Sequence, residues 1–170
     1  MSKIAVGCSH TYGVGVDKSD AWPNLLGAIN LGVPGISSDH IARNITNYLN
    51  QYNPSIVYVL WPDWTRFEYC ENNQIRQSLP SDPDRIFFME TATDDWLKEN
   101  FINQTNIVKE KCKRIKLVEL TLYDLIPFID HADTWPISKL GHHYNEEWHS
   151  LVANIFKNQA EWITDHRLFV

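Results

Sequence analysis

Three features of the sequence predict a three-layer α/β sandwich around a central parallel sheet. Short β-branched runs alternate with segments whose apolar residues recur at helical spacing, an order that calls for right-handed crossovers and helices on both faces of a parallel sheet. One run, Ser55 to Trp61 (Ser-Ile-Val-Tyr-Val-Leu-Trp), is continuous rather than alternating, as expected of a central strand covered on both sides. The length, 170 residues, suits one domain, because such a chain buries about 70% of its unfolded surface without help from metal or disulfide. The whole chain, 1–170, is therefore expected to form a single domain.

The elements follow in order. Lys3 to Cys8 is an apolar run that stops at Gly7-Cys8-Ser9, a buried first strand ending in a tight turn. Asp20 is the expected cap of a helix that tolerates Pro23 in its first turn and repeats Trp22, Leu25, Leu26 and Ile29 on one face. Asn30 to Val33 reads as a second strand, closed by Pro34-Gly35. Ser37 or Ser38 then caps a helix with Ile41, Ile45, Leu49 and Tyr52 on its apolar face, ended by Pro54. After the central strand, Trp61 to Pro83 is polar and broken by Pro62, Pro80 and an Asn-Asn pair, so it reads as a long irregular excursion above the sheet. Leu97, Phe101, Val108 and Cys112 mark a helix to about Arg114, and Ile115 to Leu120 a further strand. Asn145 opens a last helix that buries Trp148, Leu151, Val152, Ile155, Phe156 and Ile163, with Glu146 and Glu147 favourably placed at its positive end.

Composition narrows the function. Fifteen Lys+Arg against 21 Asp+Glu give a net charge of −6, which argues against a nucleic-acid binder because phosphate neutralisation needs a basic face. Cys8, Cys70 and Cys112 form an odd set without C-x-x-C spacing, which reads as reduced thiols and excludes a zinc knuckle. The first residues lack the apolar core of a signal peptide, and no apolar run is long enough to span a bilayer, so a cytoplasmic protein without membrane partners is expected. Seven tryptophans are many for this length. Trp22, Trp148 and Trp162 sit on apolar helix faces and read as core, Trp61 as core or ligand wall, and Trp64 as a platform for a sugar ring or acyl chain. Asp82, Asp84, Asp94 and Asp95 read as solvated loop or helix-start charges.

In parallel sheets the ligand site lies beyond the carboxyl ends of the strands. Those positions hold Ser9 on a tight turn, the Pro34-Gly35 turn, the Trp61-Pro62-Asp63-Trp64 loop and, before the last helix, His143. A serine hydroxyl attacks well only when an imidazole takes its proton, and the oxyanion that follows needs preorganised N–H donors. Ser9 is the candidate nucleophile, His143 the candidate base, and the N–H groups of Ser9 and Gly35 the candidate oxyanion hole.

With these residues in place the chain resembles the SGNH (GDSL-type) hydrolases, esterases, lipases and carbohydrate deacetylases with a flavodoxin-like sandwich. Gly7-Cys8-Ser9-His10-Thr11 is similar to that family's first block, Gly-Asp-Ser-x-Thr/Ser. Asn30-Leu31-Gly32-Val33-Pro34-Gly35 is similar to the second, whose last glycine donates to the oxyanion. His143-Tyr144-Asn145-Glu146-Glu147-Trp148-His149 resembles the last, His-Pro-x-x-x-Gly-His. The resemblance runs from Lys3 to about Phe156 and implies a serine esterase, acting on an ester such as an O-acetyl group on a saccharide, without cofactor. His10, Trp64 and Arg66 are the candidate substrate contacts. His142, His143 and His149 match no standard zinc spacing, so no metal is expected, and His149 is expected to cap or pack locally.

Three positions depart from the family. Cys8 replaces the aspartate of the first block. The third block, Gly-x-Asn-Asp, is replaced by Trp61-Pro62-Asp63-Trp64-Thr65-Arg66, which lacks the asparagine donor; losing one oxyanion donor costs roughly 10²–10³ in rate. Thr65 and Arg66 are the nearest substitutes. Leu140 stands three residues before His143, where the family carries the aspartate that orients the imidazole, a loss worth about 10⁴ in kcat in other triads. Asp133 and Asp130, ten and thirteen residues before His143, a backbone carbonyl, or nothing takes that role. The alternative reading is a catalytically degenerate member of the fold that binds a glycan or serves as an accessory component. A phage particle is one setting, since short chains with a Gly-Cys-Ser-His-Thr first block resemble phage-encoded proteins.

Overall fold

A computed structural model of the chain describes residues 2–78, 93–122, 124–125 and 144–166. Four strands, β1 (Lys3–Gly7), β2 (Ile29–Asn30), β3 (Ile56–Trp61) and β6 (Lys116–Thr121), form a parallel sheet in the order β2-β1-β3-β6. Three helices of one turn or more, α1 (Ser9–Tyr12), α2 (Trp22–Leu25) and α3 (Ser38–Leu49), connect the first three strands, and α4 (Asp94–Lys111) precedes β6. The last helix, α5, spans Glu146–His166.

Alternation along the strands sorts the core into two layers. Ala5, Tyr58, Leu60, Val118 and Leu120 meet α2 and α5 through Trp22, Trp148, Val152 and Phe156. Ile4, Val6, Val57, Val59 and Trp61 meet α3 and α4 through Ile41, Ile45, Val108 and Cys112. Helices on both faces of a parallel sheet are the expected three-layer sandwich, and β3 lies inside the sheet as its continuous apolar run requires. From β1 the chain steps to β2 on one side and then to β3 on the other. The reversal between β1 and β3 opens a crevice at their carboxyl ends.

Several local expectations hold in atomic detail. Ser37 accepts the His40 N–H at the start of α3, Asn145 accepts the Trp148 N–H at the start of α5, and Asp94 and Asp95 occupy the first turn of α4. Others do not hold. The helix expected from Asp20 to Ile29 is the single turn α2, entered from Ala21, whose own side chain offers no cap. Gly27, at φ +63°, ends it, and Ile29 belongs to β2. Strand β2 is correspondingly short, although the N–H groups of Leu31 and Val33 continue the pairing along β1 through Ala5 and Gly7 carbonyls. Tyr52 lies past the end of α3 and is exposed. Trp162 is 60% exposed rather than core: it lies two residues beyond buried Ala160, about 200° around the helix and so on its opposite side. The excursion after β3 begins with a hairpin of β4 (Phe67–Glu71) and β5 (Gln74–Ser78). Its turn residues, Asn72 and Asn73, have φ of 50° and 60°, the left-handed pair that two-residue hairpin turns demand. The Asn-Asn pair that reads as a breaker is a hairpin signal.

Candidate functional site

Ser9 stands where β1 gives way to α1. Cys8 keeps extended backbone as the N-cap, Ser9 opens the helical turn, and Gly13 at φ +88° closes it by donating its N–H to the Ser9 carbonyl. Thr11 and Tyr12 direct their N–H groups to the Cys8 carbonyl, whereas the Ser9 N–H, at the first helical position, has no acceptor within the turn. Ser9 is 7% exposed, and its hydroxyl takes no hydrogen bond among the described residues.

Sterics explain the glycines around it. A Cβ on Gly7 would sit 2.1 Å from Thr11 Oγ1 and 2.7 Å from the Leu60 carbonyl oxygen, so only glycine lets the turn fold back on β1. A Cβ on Gly32 would sit 2.4 Å from the Tyr12 nitrogen. Asn30 fastens the same contact: its Nδ2 donates to the Thr11 and Tyr12 carbonyls at 2.9 and 3.2 Å, and its Oδ1 accepts the Gly32 N–H at 2.9 Å. The Gly32 N–H is thereby committed. Gly35, the candidate oxyanion donor, lies half-buried in the turn before α3 at φ +79°.

The last block arrives at this corner from the other end of the chain. Tyr144 lies 4.8 Å from the His10 ring, centroid to centroid, and stacks on Trp148 at 4.3 Å and 19°. Burial, reinforced by the nearby Cys8 thiol, pushes the Tyr144 phenol up to about 12. His143, Asp130, Asp133 and Leu140 lie outside the described residues, as do His142, Asp82 and Asp84. His149, one turn into α5, is buried and accepts the Trp22 N–H on Nδ1 at 3.3 Å. It caps α2 as a neutral ring, and burial pushes its pKa down to about 4.

Across the crevice the segment after β3 is differently made. Trp61 is core, 1% exposed, with its indole N–H donated to Glu119 at 3.2 Å. Asp63 Oδ1 accepts both the N–H and the hydroxyl of Thr65, at 2.8 and 2.6 Å, so the Thr65 hydroxyl donor is taken. Trp64 is half-buried with the Lys98 ammonium 5.3 Å from its ring. Arg66 Nε is buried and unpaired among the described residues, which leaves Arg66 rather than Thr65 with a donor to offer. The hairpin that follows is fixed to the first turns of α3. Arg43 grips Glu68 through two nitrogens at 2.6 and 2.9 Å, and the His40 ring meets Gln77 at 2.9 Å. Burial pushes the His40 pKa down, with the Arg43 charge adding to the effect.

The structure thus brings Ser9, His10 and Tyr144 together, and places Gly35, Trp64 and Arg66 just beyond the ends of the neighbouring strands. Sequence reasoning missed Asn30 and Tyr144. Their positions inside the second and last blocks were the available signal.

No protein-family model matches the chain, and no curated protein matches it. Solved structures do. An esterase, EstA, from Pseudoalteromonas sp. superimposes with a TM-score of 0.53 at 14% identity, covering 96% of this chain and 100% of that one. A family 3 carbohydrate esterase from Clostridium thermocellum gives 0.51 at 17% identity, with coverages of 93% and 94%. A G-D-S-L family lipolytic protein from Desulfitobacterium hafniense DCB-2 gives 0.50 at 13% identity, with coverages of 94% and 98%. At these identities the likeness is one of fold over nearly the full length, and the chain carries a divergent form of the SGNH-hydrolase fold.

Proposed function

We propose that the protein is a serine ester hydrolase in which Ser9 is the nucleophile and His143 the base, built on the whole chain as one domain. The observation that carries this reading is the 4.8 Å contact between His10 and Tyr144, the residues that directly follow nucleophile and base in the sequence. Ser9 Oγ gives its proton to the imidazole as it adds to the ester carbonyl. The tetrahedral oxyanion is held by the Ser9 and Gly35 N–H groups, with Arg66 in the place of the absent asparagine. Collapse expels the alcohol, protonated by the imidazolium, and water releases the acid from Ser9 by the same route. Asp133, or Asp130 in its place, orients the imidazole. The C. thermocellum neighbour is a carbohydrate esterase, and an acetylated saccharide suits the aromatic and cationic pair Trp64 and Arg66.

The test is hydrolysis of p-nitrophenyl acetate without added metal, together with labelling by a fluorophosphonate, since the Pseudoalteromonas esterase is inhibited by monoethylphosphonate. The rate should rise with pH through a histidine titration near about 6.5. Ser9→Ala and His143→Ala should each lower kcat by at least about 10³, and the double variant little further. Activity and labelling unchanged in Ser9→Ala would overturn the assignment. The second reading, a degenerate glycan-binding or accessory component, is favoured by one observation: the Asp63–Thr65 turn is closed on itself where the family places its donor. A folded protein that binds acetylated oligosaccharide, with neither turnover nor labelling, would establish it.

A further inference from the structure

The turn after β3 carries a cation without a counter-ion. Its four residues, Asp63 to Arg66, are closed by the Arg66 N–H on the Asp63 carbonyl at 3.1 Å, and Trp64 and Arg66 are both half-buried on it. Arg66 makes no side-chain hydrogen bond and no ion pair among the described residues, although its Nε is buried. Taking part of a guanidinium out of water without a partner costs free energy. Partners are not scarce in a chain with 21 Asp+Glu for 15 Lys+Arg. The two carboxylates nearest in sequence are directed elsewhere, Glu68 to Arg43 and the Asp63 Oδ1 to Thr65.

A second cation behaves in the same way. Lys98 lies one turn into α4 with Asp94 four residues before it, the order that favours an ion pair along a helix. No such pair forms. The ammonium lies 5.3 Å from the centre of the Trp64 ring instead. Turn and helix are brought together by Phe67, whose ring meets Trp96 edge-on at 5.5 Å. Two cations without carboxylate partners, one two residues from Trp64 and the other over its ring, thus stand beyond the carboxyl end of β3, where parallel sheets bind their ligands. Attraction between a cation and an aromatic face accounts for Lys98. It leaves the four terminal N–H groups of Arg66 without an acceptor among the described residues.

We propose that Trp64, Arg66 and Lys98 form a subsite for the carboxylate of an acidic saccharide, which makes the sugar that carries the ester to Ser9 an anionic one. The chemistry of this proposal rests on the esterase reading; the binding does not. The sugar ring lies along Trp64. Its carboxylate accepts two parallel hydrogen bonds from the terminal nitrogens of Arg66, whose planar fork fixes its orientation. The Lys98 ammonium swings off the ring face on its flexible stem and adds a second charge. The buried Nε of Arg66 is left for the oxyanion.

Calorimetric titration of the full chain with trigalacturonate tests it, with the same trimer carrying amides in place of its carboxylates as the uncharged control. The acid should bind at least about tenfold tighter than the amide, by a margin that shrinks as salt is added. Arg66→Gln should weaken binding of the acid about tenfold, Arg66→Lys less, and Lys98→Gln about threefold, each narrowing the gap between acid and amide. Thermal melts verify that the variants fold, and exposed Lys98 is the substitution least able to disturb folding. Equal affinity for the two trimers, binding of neither, or a preference for the acid that survives Arg66→Gln and Lys98→Gln would overturn the proposal. Turnover of p-nitrophenyl acetate by the same preparations reports the hydrolase reading separately. Turnover without preference for the acid overturns the subsite alone, whereas acid-selective binding without turnover supports the subsite and overturns only the hydrolase reading.

Discussion

The two sides of the crevice are built on opposite principles. The β1–α1–β2 corner is held by close approach of backbone to backbone, with Gly7 and Gly32 in places where no Cβ fits and Asn30 satisfying both strands of contact. The β3–β4 corner is held by side chains, through the Asp63–Thr65 turn and the Arg43–Glu68 fork. Sterics leave the first corner almost no freedom to change its residues. Side-chain contacts admit many equivalent solutions, and the Asp63–Thr65 turn is one of them. The Ser9 side of the crevice is accordingly fixed by backbone and the facing side by side chains.

This contrast can be broken most severely at Gly32. Gly32→Ala forces a methyl to within 2.4 Å of the Tyr12 nitrogen, an overpacking of backbone that should cost about 3 kcal/mol in urea unfolding. A loss below about 1 kcal/mol would show that the first corner is softer than its geometry implies. Next comes pH. His149 must be neutral to accept the Trp22 N–H, and its folded pKa is about 4, below the unfolded value of about 6.5. As pH falls the unfolded chain takes up the proton first, so stability present above about 6.5 drains away down to about pH 4, by up to about 3 kcal/mol. Urea midpoints measured from pH 7 to 4 should flatten in His149→Gln, which also starts lower at pH 7.

On the other corner the effects are smaller. Glu68→Gln leaves a half-exposed Arg43 facing a neutral partner, for a cost of about 1–2 kcal/mol, read as a lower unfolding midpoint and faster proteolysis within the hairpin. Asn73→Gly, at φ +60°, should stabilise by a few tenths of a kcal/mol, about 0.5 at most. A loss there would mean that Asn73 makes a contact beyond the turn.

Periodicity made β1, α3, β3, α4, β6 and α5 legible, because each carries one unbroken pattern. It misled at α2, where a single helical turn followed directly by a strand reproduces the i, i+3, i+4, i+7 spacing of Trp22, Leu25, Leu26 and Ile29. It was silent at β4–β5, whose strands carry too little apolar alternation to outweigh two asparagines. At the site, the order and spacing of blocks point to Ser9, Gly35 and His143, the last of which lies outside the described residues. The work of Asn30, Tyr144 and Gly32 depends on contacts with Thr11, His10 and Tyr12 that no local window contains. Trp162 was misplaced because its place around the helix, opposite buried Ala160, decides its exposure, and its apolar character carries no sign of that angle.

The bond from Trp22 to His149 joins residues 127 positions apart. A chain emerging from the ribosome makes β1, α1 and β2 early, yet α2 lacks its acceptor until the first turn of α5 has been synthesised. The amino-terminal third thus has a site without its lock during translation, and loop closure over that distance is a slow event in folding. Nascent chains stalled before α5 should expose the Trp22 turn to chaperones and proteases, and the stacking of Tyr144 on Trp148 beside His10 is among the last contacts to form.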